Sequence, residues 1–164
     1  MLNPIDHGAN IVIQSLTKYI NGNGTALGGA IIDAGTFDWG SGKFPEFTEP
    51  SAGYHGLIYN EVIGDASFIA KVRIEGLRDY GAALSPFNAF QIIQGLETLE
   101  VRIQKHSENA LQLAEWLEKE DIVEWVNYPG LLSSPYKELA DKYLPRGQSL
   151  SLIHISEPTR RSAI

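Results

Sequence analysis

At 164 residues, 43% of them hydrophobic, the chain is long enough to build one domain with a sizeable core. A net charge of −7 argues against a nucleic-acid or anionic-membrane surface, and the lack of cysteine excludes disulfides, thiolate metal sites and cysteine nucleophiles. We see neither a signal peptide nor an apolar run of membrane-spanning length. The composition therefore favours an acidic cytoplasmic α/β domain.

The most informative stretch follows a run of β-branched residues at positions 11–13, which predicts a buried strand. Ser15 and Thr17 come two residues apart, so a continuing strand would place both hydroxyls on one side. Lys18 follows, just before the glycine-rich residues 21–24. A lysine at the end of a buried strand, beside two hydroxyls, suits a Schiff base with an aldehyde cofactor that carries a phosphate.

A second strand is predicted over residues 26–33, and Gly28 and Gly29 inside it indicate close approach of another backbone or of a cofactor. Lys18 precedes the glycines, whereas a nucleotide-binding P-loop places its lysine after them and continues into a helix. We therefore disfavour a P-loop. Asp6 and His7 are interpreted as surface turn residues, because no partner spacing supports a site.

Residues 35–64 are rich in glycine, proline and aromatic residues, and loops of this length are often functional. Aromatic side chains that pin a surface loop are an equally good interpretation, and His55 is expected to be structural. A helix is predicted over residues 65–79, with Asp65 as its N-cap and Lys71 and Glu75 paired four residues apart. Gly81 should follow its end.

Residues 85–119 give the strongest helical signal, with Ser85 as N-cap and a proline directly after it. The length predicts two helices or one kinked helix, broken near residues 95–98. His106 falls in the apolar stripe and is expected to be packed. The members of that stripe are Ile92, Leu96, Leu99, Ile103, His106, Ala110, Leu113 and Leu117.

The remaining elements are short. Residues 122–128 alternate as a strand and are followed by a Pro–Gly turn. Residues 135–144 predict a helix with Glu138 and Lys142 paired. A strand and a helix in this order are typical of the start of a small α+β domain.

Three segments, in this order, resemble the pyridoxal-phosphate enzymes of cysteine and methionine metabolism. The first, NIVIQSLTKY with the later GGA, resembles the cofactor-lysine segment of that family. The second, GTFDW with FPEF, is similar to the O-acetylhomoserine sulfhydrylase branch. The third, SPFNAF continuing through GLETL to Arg102 and His106, resembles the interdomain helix region.

The resemblance implies an α/β fold of the PLP-dependent transferase type I class (aspartate aminotransferase-like), present in part. It implies that Lys18 holds pyridoxal 5'-phosphate and shuttles protons, and that Ser15 and Thr17 bind the cofactor phosphate. The implied reaction is γ-replacement on O-acetyl-L-homoserine with sulfide or a thiol, in a homo-oligomer with a small amino-acid substrate. A γ-lyase or a cystathionine γ-synthase of the same family, and an inert truncated fragment, remain alternatives. No metal site, nucleic acid or membrane partner is expected.

The resemblance also divides the chain. Residues 1–95 correspond to the C-terminal part of the cofactor-binding large domain, and residues 96–149 to the interdomain helix and the start of the small domain. The family's acidic partner for the pyridine nitrogen is expected before residue 1, and its substrate-carboxylate arginine after residue 148. Residues 150–164 resemble the translation of a sequencing adapter, so we interpret them as an artefactual tail.

Overall fold

The computed structural model describes residues 2–148 and the backbone of residues 153–156. The strands are β1 (Ile11–Ser15), β2 (Gly29–Asp33), β3 (Val123–Asn127) and β4 (Ile153–Ser156). The α-helices are α1 (Pro45–Thr48), α2 (Tyr59–Ile63), α3 (Ser67–Lys71), α4 (Arg78–Tyr80), α5 (Pro86–Glu97), α6 (Leu99–Leu117) and α7 (Lys137–Tyr143). Shorter 3₁₀ segments span Pro4–His7, Ala52–Tyr54 and Gly64–Ala66, and a π-helical segment spans Val72–Leu77.

Two compact units make up the chain: one spans Asn3–Leu96, and the second begins at Glu97. Over the residues that the structure describes, each unit contains one two-stranded antiparallel sheet, β1 with β2 and β3 with β4. Among the described residues, no helix is long and apolar enough to cross a membrane.

In the first unit, β1 and β2 pair from Ile11 opposite Asp33 to Ser15 opposite Gly29. The prediction of a buried β1 is wrong, since Ile13 is 76% exposed. β2 is shorter than predicted and begins at Gly29. A physical reason lies in the preceding loop, where Asn21 Nδ2 donates to the carbonyl of Ala26 at 3.2 Å and so occupies an acceptor that a longer strand would use.

The glycine-rich loop after β2 folds around an aromatic cluster, which we define as Trp39, Phe47 and Tyr59 with the partly buried rings around them. Trp39 lies 4.6 Å from Phe47, centroid to centroid, and stacks on Phe68 at 5.3 Å with an 11° interplanar angle. Such ring pairs stabilise a core beyond the area that they bury. Trp39, Phe47 and Tyr59 are therefore core residues of the first unit.

The predicted helix over residues 65–79 starts earlier, at Tyr59, and passes through 3₁₀ and π segments before it ends at Tyr80. Asp65 is not its N-cap but lies inside the 3₁₀ segment. Ser67 holds this junction, because its Oγ lies 2.5 Å from the carbonyl oxygen of Gly64 and 3.1 Å from that of Tyr59, and its one proton can be donated to either. The end is as predicted, with Gly81 in the left-handed conformation at φ 68°.

The predicted break in the long helical region is confirmed, because α5 and α6 are separated at Thr98. The predicted Ser85 cap is also present, with the amide of Asn88 donating to Ser85 Oγ at 3.1 Å. Predicted packing of His106 is wrong, since this residue is exposed and Ser107 is buried beside it.

The buried face of α6 matches the predicted apolar stripe in part, since Ala110 and Leu117 of that stripe are buried. Ser107, Ala110 and Ala114 are buried, whereas Leu113 is 48% exposed. These small side chains face Tyr128, which is 1% exposed and donates to the carbonyl of Ser107 at 3.5 Å. The large ring of Tyr128 thus packs against the small side chains of α6, which leave room for it.

In the second unit, β3 pairs with β4 from Val123 opposite Ser156 to Asn127 opposite Ile153. Helix α7 forms where a helix was predicted, but its ion pair joins Lys137 and Asp141 at 2.5 Å, not Glu138 and Lys142. The predicted artefactual tail at residues 150–164 lies outside the described residues, apart from the backbone of β4.

Candidate functional site

Lys18 lies in a tight turn directly after β1, and its side chain is exposed. Two backbone bonds close this turn: the amide of Asn21 donates to the carbonyl of Leu16 at 3.0 Å, and the amide of Gly22 donates to the carbonyl of Lys18 at 2.8 Å. Gly22 adopts φ 74°, a left-handed conformation that glycine reaches without a steric penalty. The sequence therefore places the amine of Lys18 at the surface of a closed turn.

The two predicted hydroxyls do not leave one strand on the same side. Strand β1 ends at Ser15, and Thr17 already belongs to the turn, so the period-two argument does not reach it. Ser15 is exposed and its hydroxyl is accessible to a ligand.

Thr17 makes a reciprocal pair of hydrogen bonds with Gly28. Its hydroxyl donates to the carbonyl of Gly28 at 3.2 Å and accepts from the amide of Gly28 at 3.1 Å. A hydroxyl has one proton to donate, so this contact uses it. Thr17 consequently ties the lysine turn to the start of the second strand.

The cofactor expected from the resemblance needs an accessible amine and hydroxyl donors for its phosphate. Lys18 and Ser15 provide both on exposed side chains three residues apart. Thr17 fits as a second donor only when its proton leaves Gly28. Lys18 and Ser15 therefore fit the cofactor as they stand. Thr17 fits once its hydroxyl proton is released from the carbonyl of Gly28. Among the described residues, no group of histidine and acidic side chains could hold a metal ion.

A second polar cluster lies beside the aromatic cluster and contains another lysine. Glu75 Oε1 accepts from Lys71 Nζ at 2.7 Å and from the hydroxyl of Tyr59 at 2.9 Å. Lys71 Nζ also lies 4.6 Å from the centre of the Tyr59 ring, a cation–π distance. The predicted Lys71–Glu75 pair is therefore confirmed, while Tyr59 was missed because its distance along the chain carries no local signal.

The protonation of this cluster follows from its contacts. Burial, followed by the hydrogen bond to Glu75, raises the pKa of Tyr59 to about 12. The hydrogen bond from Lys71 lowers the pKa of Glu75. An open cleft of about 330 Å³ adjoins the pair, lined by Pro45, Glu46, Glu49, Pro50, Ser51, Lys71 and Glu75. The lowered pKa favours the carboxylate form of Glu75 in this cluster.

The histidines His7, His55 and His106 are exposed. His55 adopts φ 57°, a left-handed conformation that is uncommon for non-glycine residues but enriched in histidine.

Residues 1–162 match the model of the Cys/Met metabolism PLP-dependent enzyme family. The chain belongs to this family. An O-acetyl-L-homoserine sulfhydrylase of Leptospira meyeri is 53% identical over 155 residues, which cover 90% of this chain and 35% of that protein. A homocysteine/cysteine synthase of Saccharomyces cerevisiae is 51% identical over 146 residues, which cover 88% of this chain and 33% of that protein.

Solved structures also match the chain. An O-acetylhomoserine (thiol)-lyase from Campylobacter jejuni superposes with a TM-score of 0.87 at 40% identity, covering 95% of this chain and 39% of that one, and its structure contains N'-pyridoxyl-lysine-5'-monophosphate. A cystathionine γ-synthase from Xanthomonas oryzae superposes with a TM-score of 0.65 at 29% identity, covering 95% of this chain and 32% of that one. The predicted type I α/β fold is confirmed, in part of its length. The chain spans about a third of the length of the curated relatives it matches.

Proposed function

We propose that the protein of which this chain is a part catalyses γ-replacement on O-acetyl-L-homoserine with sulfide or a thiol, giving homocysteine or methionine and acetate. The observation that carries the proposal is the identity of about half with proteins named as sulfhydrylases or homocysteine synthases. The reaction is assigned to the full-length enzyme, because this chain spans about a third of its relatives.

Lys18 is the residue that binds the cofactor in this proposal. Its exposed amine can reach an aldehyde, and the closed turn limits the directions in which it moves. Once the substrate amine replaces it, the free amine moves protons at the α and β carbons of the substrate. Pyridoxal phosphate, when bound, supplies the electron sink that lets the γ-substituent leave.

Ser15 and Thr17 are the proposed phosphate donors. Ser15 is exposed, so its hydroxyl can donate to a phosphate at the surface. Thr17 has to withdraw its proton from the carbonyl of Gly28, a long bond of 3.2 Å, while the amide of Gly28 continues to hold its oxygen. Ser15 is therefore expected to contribute more to phosphate affinity than Thr17.

The substrate class and assembly follow the same proposal: a small amino-acid substrate and a homo-oligomer, dimer or tetramer, in the cytoplasm. The outer face of α5 carries three apolar side chains, Phe87, Phe90 and Ile93, that are between 56% and 67% exposed. An exposed apolar patch of this kind is consistent with burial against another subunit or against a further part of the full-length chain.

The first experiment adds pyridoxal phosphate to the purified chain, reduces with borohydride and maps the labelled peptide. We expect a visible absorbance band and a label on Lys18 that Lys18→Ala removes, while Lys43→Ala, which changes another exposed lysine, retains it. A label spread evenly over Lys18, Lys43 and the other lysines would instead identify this chain as an inert fragment.

A second experiment uses the protein expressed from the full gene and tests the reaction class. Acetate release from O-acetyl-L-homoserine that depends on added sulfide supports γ-replacement by sulfide. Reaction with cysteine in place of sulfide supports a cystathionine γ-synthase, which the superposition with the Xanthomonas protein makes the second candidate. Turnover without any added nucleophile supports a γ-lyase.

A further inference from the structure

The turn that carries Lys18 rests on helix α5 through a glycine. A methyl group added at Gly95 would lie 1.9 Å from the backbone oxygen of Asn21 and 2.6 Å from its carbonyl carbon. Asn21 closes the Lys18 turn and is fully buried. The helix and the turn therefore meet backbone to backbone, at a distance that only glycine permits.

A second contact from the same helix reaches the strand end to which the turn is tied. A side-chain carbon built at Gly28 would lie 2.7 Å from Ile92 Cδ1, so Ile92 packs directly on this glycine. Ile92 is 5% exposed, and Gly28 is the partner of the Thr17 hydroxyl. Ile92 and Gly95, one helical turn apart, thus contact Gly28, which Thr17 binds, and Asn21, which closes the Lys18 turn.

A third contact also joins α5 to the loop that follows Lys18. Asn88 Nδ2 donates to the carbonyl of Leu27 at 3.4 Å, one residue before Gly28. Three successive turns of α5 therefore contact the loop between Lys18 and β2.

We propose that Gly95 and Ile92 are positioning residues for Lys18: the face of α5 that they form sets where the turn, and hence the amine, lies. The proposal rests on the function proposed above for Lys18. Neither residue touches substrate or cofactor in it; each acts through Asn21 or Gly28. A displacement of about 1 Å in a reacting group can lower a rate by about 100-fold. A small shift of the contact between α5 and the Lys18 turn should therefore have a large effect on reaction at the amine.

Gly76 offers a matched control, because it is also a helical glycine in the first unit. A methyl group there meets nothing nearer than Val72 Cγ1 at 4.0 Å. Gly76→Ala and Gly95→Ala thus make the same chemical change, and only the second forces the backbone of the Lys18 turn to move.

The test compares the purified chain with its Gly95→Ala and Gly76→Ala variants by two measurements. Hydrogen exchange of the Gly22 amide, which donates to the Lys18 carbonyl, reports on the turn without any cofactor. Borohydride-trapped pyridoxal phosphate reports on Lys18, with the label on Lys43 as internal reference. We expect Gly95→Ala to speed the exchange and to lower the Lys18 label relative to Lys43, each by about 10-fold or more, with Gly76→Ala as wild type.

Ile92→Ala is the second variant, and it decides the matter if Gly95→Ala does not fold. It loosens the contact with Gly28 by truncation and is expected to shift both measurements in the same direction. A folded variant in which the Gly22 exchange and the Lys18 label both match wild type overturns the proposal.

Failure of the proposed function gives a different pattern. If Lys18 is not labelled selectively in the wild-type chain, the assignment of Lys18 fails for this chain. Hydrogen exchange of the Gly22 amide is then the measurement that tests whether α5 supports the turn. Faster Gly22 exchange in Gly95→Ala then supports α5 as the support of the turn, and unchanged exchange refutes it.

Discussion

Two lysines of the same unit, Lys18 and Lys71, are held in opposite ways. Lys71 Nζ lies 2.7 Å from Glu75 and over the ring of Tyr59, so its charge is committed to the structure. Lys18 is exposed, and the contacts that hold its turn are made by backbone groups and by Thr17. The cluster around Lys71 stabilises a core, whereas the turn around Lys18 leaves an amine accessible.

The two lysines show that one unit can use one amine for its stability and leave another accessible for a reaction. A lysine that pairs with a carboxylate has its amine proton held by that partner. A lysine whose neighbours are bonded to one another keeps its amine available while its backbone stays in place. Substitutions near Lys71 should therefore change unfolding, and substitutions at Lys18 should change cofactor attachment alone.

Trp39→Ala should give the largest loss of stability. Trp39 is 7% exposed and contacts Phe37, Phe44, Phe47 and Phe68. Truncating a buried aromatic side chain costs about 3–5 kcal/mol, which would be measured by urea denaturation followed by circular dichroism.

Trp39→Phe is its control. The indole Nε1 of Trp39 has no hydrogen-bond partner within the part of the chain that the structure describes. Phenylalanine retains a ring and removes this donor, so we expect it to cost less than about half as much as alanine. Equal losses for the two variants would show that a retained ring at this position does not restore stability.

Tyr59→Phe should have an intermediate effect that depends on pH. The variant removes a hydrogen bond to a charged group, for a loss of about 1–3 kcal/mol at neutral pH. The pKa of Tyr59 is raised in the folded state to about 12, so its contribution is fully present below the unfolded value near 10 and is lost as the pH rises through 12.

Denaturation at about pH 9 and about pH 11 tests this pH dependence. The wild type should lose more stability over that interval than Tyr59→Phe does. Tyr80→Phe is the control, because Tyr80 is 87% exposed and should follow the wild type. A Tyr59→Phe variant with the full alkaline loss would contradict the assigned cause.

Lys71→Met should lower the stability only slightly. Lys18→Met should leave the stability unchanged. Methionine keeps the apolar stem over the Tyr59 ring and removes the charge, so the loss at neutral pH should be about 0.2–1 kcal/mol, as for other partly exposed ion pairs. Lys18→Met should stay within about 0.5 kcal/mol of wild type.

Acid unfolding distinguishes Lys71 from Lys18. The pKa of Glu75 is lowered first by its bond to Lys71, so its contribution is present above the usual glutamate pKa and is lost as the pH falls through the lowered value. Lys71→Met should therefore reduce the loss of stability on acidification, while Lys18→Met should not. Identical acid profiles for both variants would remove the distinction between the two lysines.

Local spacing was sufficient for several features that the structure bears out. The Lys71–Glu75 pair, the Ser85 cap and the break between α5 and α6 each depend on residues within a few positions of one another. Predictions failed where a partner lay far along the chain: His106 is exposed because Tyr128 selects Ser107 and the alanines of α6.

The sequence by itself determined the family, the candidate lysine and most helical boundaries, since these follow from short motifs, caps and periodicity. Only the tertiary structure decided how Thr17 is used, that Tyr59 joins Lys71 and Glu75, and that Gly95 lies against Asn21. The physical reason is that hydrogen-bond partners and steric contacts between distant residues depend on distances in space, and those distances exist only once the chain has packed.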